Sequence, residues 1–153
     1  MTLQKAFNAK TVIITGHTGF KGAWLTAWLK QLGAKIVGIA LDPPTKPSHF
    51  VAAQLADGMV DLRIDIRNQV ALEEAIVSAQ PDFVFHLAAQ ALVRRSYEDP
   101  VETWQTNLLG TLHVLEALRK LDKPCAAVII TSDKCYDNVE WEWVWGYRET
   151  DAM

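Results

Sequence analysis

Cysteine is scarce: Cys125 and Cys135 are the only two, and they form no close metal or redox pair. That excludes a disulfide-stapled scaffold and leaves free thiols in a reducing cytoplasm as the expectation. His86 has no second histidine or carboxylate at metal-ligand spacing, so no metal is expected. Long apolar runs are also missing, and none reaches the roughly 20 residues that cross a bilayer. No signal peptide is visible, because Met1 to Lys10 is mixed polar and the first apolar run is only a strand long. There is no excess of positive charge either. A net charge of -3 argues against nucleic acid or a membrane surface as partner. Internal repeats and low-complexity tracts are absent. What remains is a 153-residue chain, half of it apolar, enough for one domain with a buried core.

The chain is organised around Thr11 to Leu32. Thr11-Val12-Ile13-Ile14-Thr15 reads as a buried parallel strand. Gly16-His17-Thr18-Gly19-Phe20-Lys21-Gly22 then supplies three glycines, each separated from the next by two residues. Ala23 to Leu32 carries apolar residues at helical spacing, with Gly33 where a C-cap belongs. Strand, glycine turn and helix in this order suit a dinucleotide, because a helix N-terminus offers free N–H groups to a pyrophosphate. A purely structural turn is the plainer alternative.

Further along, Lys35 to Leu41 reads as a second strand ending at Asp42. An acid about 20 residues past the last glycine accepts hydrogen bonds from the adenosine ribose and repels a 2′-phosphate. Asp42 there favours NAD over NADP; a loop aspartate before Pro43-Pro44 is the other reading. Pro43 to Phe50 is read as loop. Met59 to Ile64 is a third strand. Asn68 caps a helix over Gln69–Ala79 with an apolar stripe of Val70, Leu72, Ala75, Ile76 and Ala79.

Asp82 to Gln90 is a fourth strand with its exit, where Ala88 and Ala89 leave room for a close backbone approach. His86 is either part of the site or a packed core histidine. Arg94 and Arg95 either guide a diphosphate or form a solvated pair. A helix from about Pro100 to Lys120 contains Asn107 and Gly110, two poor helix-interior residues that something must offset. Ala126 to Thr131 is a fifth strand, delivering Ser132, Asp133 and Lys134 to its carboxyl end. A hydroxyl, an acid and an amine there suit proton transfer, and a plain turn also accommodates them.

The G-x-x-G-x-x-G turn resembles the extended short-chain dehydrogenase/reductase family, which modifies nucleotide sugars. Thr131-Ser132-Asp133-Lys134-Cys135-Tyr136-Asp137-Asn138 and Trp143-Val144-Trp145-Gly146-Tyr147-Arg148-Glu149 resemble its sugar-nucleotide 4,6-dehydratases, in particular those acting on CDP-glucose. The Pro-Thr-x-Pro-Ser run at Pro44 to Ser48 points the same way. The resemblance implies an α/β fold, a Rossmann-like doubly wound parallel sheet, truncated here after about five strands.

It also implies NAD as cofactor, held by Gly16, Thr18, Gly19, Phe20, Lys21, Gly22, Asp42, Asp65, Ile66, Ala88, Ala89 and Asn107. The Asp65-Ile66 pair would contact adenine, and Asn107 would bond to backbone near the active site. Ser132 would hold the sugar's C4 hydroxyl, Asp133 would protonate the departing C6 hydroxyl, and Lys134 would assist at C5. The setting implied is cytoplasmic synthesis of deoxysugar and O-antigen precursors, with a homo-oligomer as one arrangement.

One departure stands out. The family's Y-x-x-x-K pair is missing, since Tyr97, Tyr136 and Tyr147 are followed four residues later by Val101, Glu140 and Asp151. The expectation is therefore a partial NAD-binding domain over 1–135. A Trp-rich segment over 136–153 leads toward an absent catalytic and substrate-binding part, and the chain is inactive alone. A non-catalytic nucleotide-binding module, or an epimerase or reductase of the same family, are the alternatives.

Overall fold

A computed structural model of the chain describes residues 2–137 and 146–153. Trp141, Trp143 and Trp145, within residues 138–145 of the expected Trp-rich segment, lie outside the described residues. Five strands, β1 (Thr11–Thr15), β2 (Lys35–Ala40), β3 (Val60–Arg63), β4 (Phe83–His86) and β5 (Ala126–Ile129), form one sheet in the order β3-β2-β1-β4-β5. Every pairing is parallel. The chain winds outward from β1 to β3 and then returns to place β4 on the other side of β1. The carboxyl ends of β1 and β4 therefore flank the topological switch point, where such sheets bind ligands.

Central β1 is the most buried strand because both of its faces are covered. Ile13 joins a core layer with Ile39, Ile66, Leu72, Ile76, Val84, Val114 and Ala117. Val12 and Ile14 point the other way, with Leu29 and Ile36, as the two-residue period requires. Each fully buried Val or Ile contributes about 1.5–3 kcal/mol of transfer free energy. On the Val12 face lie α1 (Leu3–Phe7), whose Phe7 ring meets Phe83 at 4.8 Å, and α2 (Phe20–Gln31). Short α3 (His49–Ala52) follows, and α4 (Gln69–Ala79) packs on the opposite face with Leu72 and Ile76 buried.

After β4 come α5 (Val93–Glu98), α6 (Pro100–Trp104), a π-helical turn over Gln105–Leu109, and α7 (Gly110–Leu118). A 3-10 turn over Asp133–Cys135 follows β5.

The α4 bounds and the Asn68 cap match the sequence reading, with Asn68 Oδ1 accepting from the Ala71 N–H at 3.2 Å. Gly33 follows the C-cap Leu32 at φ +82, a left-handed position that suits glycine. Other readings are corrected. Val70 is exposed while Leu72 and Ile76 are buried, so it leaves the apolar stripe. The proline loop ends at Ser48, whose hydroxyl caps α3 and lets Phe50 bury in a helix. The mixed polar N-terminus contains α1, held on the sheet by its aromatic contact. The expected single helix from Pro100 to Lys120 is interrupted by the π turn.

Candidate functional site

The glycine turn joins β1 to α2 and is packed from within. Gly16 adopts φ +75, and its N–H donates to the Ile39 carbonyl at 2.8 Å. A Cβ on Gly16 would lie 2.8 Å from the Ala88 amide nitrogen, and one on Gly22 would overlap the Gly16 carbonyl. Gly16 and Gly22 are thus glycines because backbone crosses backbone. Gly19 differs: a Cβ there would meet nothing closer than the Gly16 oxygen at 3.4 Å. It is the N-cap of α2, with no side-chain cap and no acid in the first turn. The opening N–H groups of a 12-residue helix are left for an anion, beside the exposed Phe20 and Lys21.

The side chains between these glycines turn inward. Thr18 is buried, and its hydroxyl donates to the Leu41 carbonyl at 3.0 Å, tying the turn to the end of β2. His17 is fully buried, with Nε2 donating to Asp61 Oδ1 at 2.8 Å and its ring edge against Phe50. It occupies the space that Gly38 leaves by having no Cβ. Desolvation holds its pKa below the ordinary value, against the pull of Asp61.

Asp61 accepts Arg63 Nη2 at 2.8 Å on its other oxygen, while Arg63 Nη1 donates to the Leu41 carbonyl at 2.9 Å. The Arg63 guanidinium lies over Phe50, and its Nε stands 3.7 Å from Asp42 Oδ1. His17, Asp61 and Arg63 were not singled out in the sequence. The available signal was the i, i+2 spacing of Asp61 and Arg63, which puts both on one face of β3.

His86 is the packed histidine of the plainer reading. Thr15 Oγ1 accepts the Leu87 and Ala88 N–H groups, each at 3.1 Å, so its own proton goes to His86 Nδ1 at 2.7 Å. His86 Nε2 must then carry the proton and donate to Thr111 Oγ1 at 3.0 Å. Thr111 in turn donates to the Asn107 carbonyl at 2.7 Å. Desolvation lowers the His86 pKa to about 4, so the ring is neutral in this chain of bonds.

Asn107 lies in the π turn and clamps the exit of β4. Its Oδ1 accepts the Gln90 N–H at 2.8 Å and its Nδ2 donates to the Gln90 carbonyl at 2.9 Å. Gly110 leaves room for Ile66, whose Cδ1 would stand 2.5 Å from a Cβ at that position. The Ile66 side chain is therefore core, and its carbonyl accepts from His113 Nδ1 at 2.9 Å. Asp65 is held by Arg67 through Nε and Nη2, and this bonding keeps its carboxyl below the usual range. Arg94 pairs with Glu98 and Arg95 with Glu102, the solvated reading of that pair.

At the carboxyl end of β5, Ser132 caps the 3-10 turn by accepting the Lys134 N–H at 3.2 Å, and its hydroxyl lies 3.3 Å from Asp133 Oδ1. Ser132, Asp133 and Lys134 are all exposed. They stand at the same sheet edge as the glycine turn, two strands from β1 in the order β1-β4-β5. No group of three or more potential metal ligands occurs among the described residues.

A five-stranded parallel sheet wound from a glycine turn at its switch point defines a Rossmann-like α/β protein. Within that class, the chain belongs to the GDP-mannose 4,6 dehydratase family, whose model matches residues 13–150. It is 52% identical over 147 residues to a CDP-glucose 4,6-dehydratase of Salmonella typhimurium, covering 96% of this chain and 40% of that protein. A UDP-glucose 4-epimerase of Mycoplasma genitalium is 30% identical over 129 residues, 84% of this chain and 38% of that one. Among solved structures, the Thermus thermophilus UDP-glucose 4-epimerase complex with NAD superimposes with a TM-score of 0.64. It is 34% identical over 72% of this chain and 34% of its own. The Stenotrophomonas maltophila epimerase, at 21% identity and TM-score 0.78, shares the fold over 94% of this chain and 42% of its own. The chain spans 40% and 38% of the length of the two curated relatives named.

Proposed function

We propose that this chain is the cofactor-binding portion of an NAD-dependent CDP-glucose 4,6-dehydratase, a lyase of cytoplasmic deoxysugar and O-antigen precursor synthesis. Residues 1–135 form its nucleotide-binding unit, and 136–153 lead toward the catalytic and substrate-binding part. One observation carries the reading. An uncapped α2 N-terminus lies behind a bare Gly19 at the switch point, in a chain 52% identical to a CDP-glucose 4,6-dehydratase.

The residues fit the cofactor. The backbone of Gly16, Thr18, Gly19, Phe20, Lys21 and Gly22 would surround the pyrophosphate, because the free N–H groups of the first helical turn match its charge. Asp42 would accept the adenosine ribose hydroxyls, and Asp65 with the Ile66 backbone would meet adenine. Ala88, whose N–H is held by Thr15, and Ala89, next to the Gln90 that Asn107 clamps, would line the ribose nearer the nicotinamide. NAD, when bound, supplies a hydride acceptor that later returns the hydride. Ser132 would hold the C4 hydroxyl of the sugar. Asp133 would give a proton to the departing C6 hydroxyl, and Lys134 would assist at C5.

Isothermal calorimetry on the purified chain tests the cofactor reading: saturable NAD binding, weakened by Asp42→Ala, is the expected result. A folded chain that binds no NAD would overturn it. With no tyrosine followed four residues later by lysine, the chain is expected to convert no CDP-glucose by itself. Product formation would show that other residues start the reaction.

A further inference from the structure

Asp42 by itself suggests an adenosine site closed to NADP, yet the better-held charge at that end of the sheet is a cation. Arg63 lies opposite Ala40 in the β2–β3 register, two residues before Asp42. Its Nη1 is fixed on the Leu41 carbonyl at 2.9 Å, its Nη2 on Asp61 at 2.8 Å, and its plane over Phe50. The Nε edge is the side left over, and it faces Asp42 at 3.7 Å, beyond hydrogen-bond reach. The Asp42 side chain is 92% exposed, whereas that of Arg63 is 35% exposed. A preorganised guanidinium therefore stands behind a loosely held carboxylate.

We propose that Arg63 is a second specificity determinant of the cofactor site, a latent acceptor for the 2′-phosphate of NADP that the Asp42 carboxylate masks. This rests on the reading that the adenosine half of a dinucleotide lies against Asp42. While the carboxylate is present, Arg63 offsets part of its charge. Once the carboxylate is removed, the Nε–H of a guanidinium already locked on two sides is free for a phosphate oxygen, with little further ordering required. Asp61 is the opposing charge on the same arginine. Both of its oxygens are engaged, by His17 Nε2 and Arg63 Nη2, so it tempers the attraction without occupying the Nε edge. The net gain is about tenfold rather than a thousandfold, the size of one charge-assisted hydrogen bond at a half-exposed site.

The test compares 2′,5′-ADP with 5′-AMP, which differ only in the 2′-phosphate, alongside NAD, on the wild-type chain. The same probes are applied to Asp42→Asn, Asp42→Asn/Arg63→Gln and Asp42→Asn/Arg63→Lys. Asp42→Asn is expected to bind 2′,5′-ADP about tenfold tighter than wild type, while 5′-AMP and NAD, which lose their ribose acceptor, bind more weakly, and the gain shrinks as salt is raised. The Gln double variant is expected to lose the gain and the Lys double variant to keep part of it. Circular dichroism confirms folding of each. If Asp42→Asn gains nothing for 2′,5′-ADP while wild type binds NAD, the inference fails and the cofactor reading stands. A gain that survives Arg63→Gln in a folded protein also overturns it. If 5′-AMP, 2′,5′-ADP and NAD all fail to bind any folded variant, both readings fall together.

Discussion

Gly19 and Gly22 are chemically identical, yet they answer to different demands. Gly22 is pressed against the Gly16 carbonyl, so Gly22→Ala forces backbone apart and is expected to cost about 3 kcal/mol, read as a lower denaturant midpoint. Gly19 has room for a methyl group and an extended φ/ψ that alanine tolerates. Gly19→Ala is expected to melt within a few degrees of wild type and to lose NAD binding by calorimetry, since a methyl group at the N-cap would crowd a phosphate approaching the free N–H groups of the first turn. Equal loss of stability in the two variants would contradict this assignment.

His86 makes a second residue-level prediction, this one in pH. Its folded pKa of about 4 lies below the ordinary 6.5, so the unfolded chain takes up a proton first as pH falls. Stability is fully present above pH 6.5 and is lost as pH drops toward 4, by on the order of 3 kcal/mol. His86→Gln is expected to flatten urea-derived stability across this window. His17, which burial also pushes down, adds to the slope that remains.

Among the elements, the interrupted helix after β4 shows how an unfavourable local sequence is compensated. Asn107 opposes regular α-helix but lies in a π turn, a device found at functional positions. It exchanges two hydrogen bonds with Gln90, seventeen residues away in the chain. Asn107→Ala is expected to cost about 1 kcal/mol, because the freed groups are exposed and regain water. The Gln90 and Leu92 amides, the latter bonded to the Gln90 side chain, should exchange with deuterium markedly faster while those of β1 are unchanged.

At the scale of the whole molecule, the sheet has a free edge among the described residues. There β5 pairs only with β4, and Val128 and Ile130 are each nearly half exposed. Unpaired strand groups beside apolar side chains template association. The purified chain is expected to self-associate at micromolar concentration, with light scattering rising on warming. Val128→Lys, a charge on the open strand, is expected to raise the monomer fraction. A monodisperse wild-type monomer with a cooperative melt would count against this prediction.

Much of this architecture is legible from neighbouring residues. The β-branched run of β1, the glycine spacing, the Asn68 cap and the period of α4 act within a few residues, so strand, turn and helix follow from local propensity and apolar pattern. Those rules also placed Asp42 and Ser132 at strand ends. The inward turn of His17, the Arg63 guanidinium behind Asp42 and the tautomer of His86 belong to tertiary structure. Each depends on which strands lie side by side and in what register, and a contact between residues 44 or 71 positions apart leaves no periodic trace. Local chemistry set the edge at which a ligand would lie; the packing of β3 against β2 decided which charges wait there.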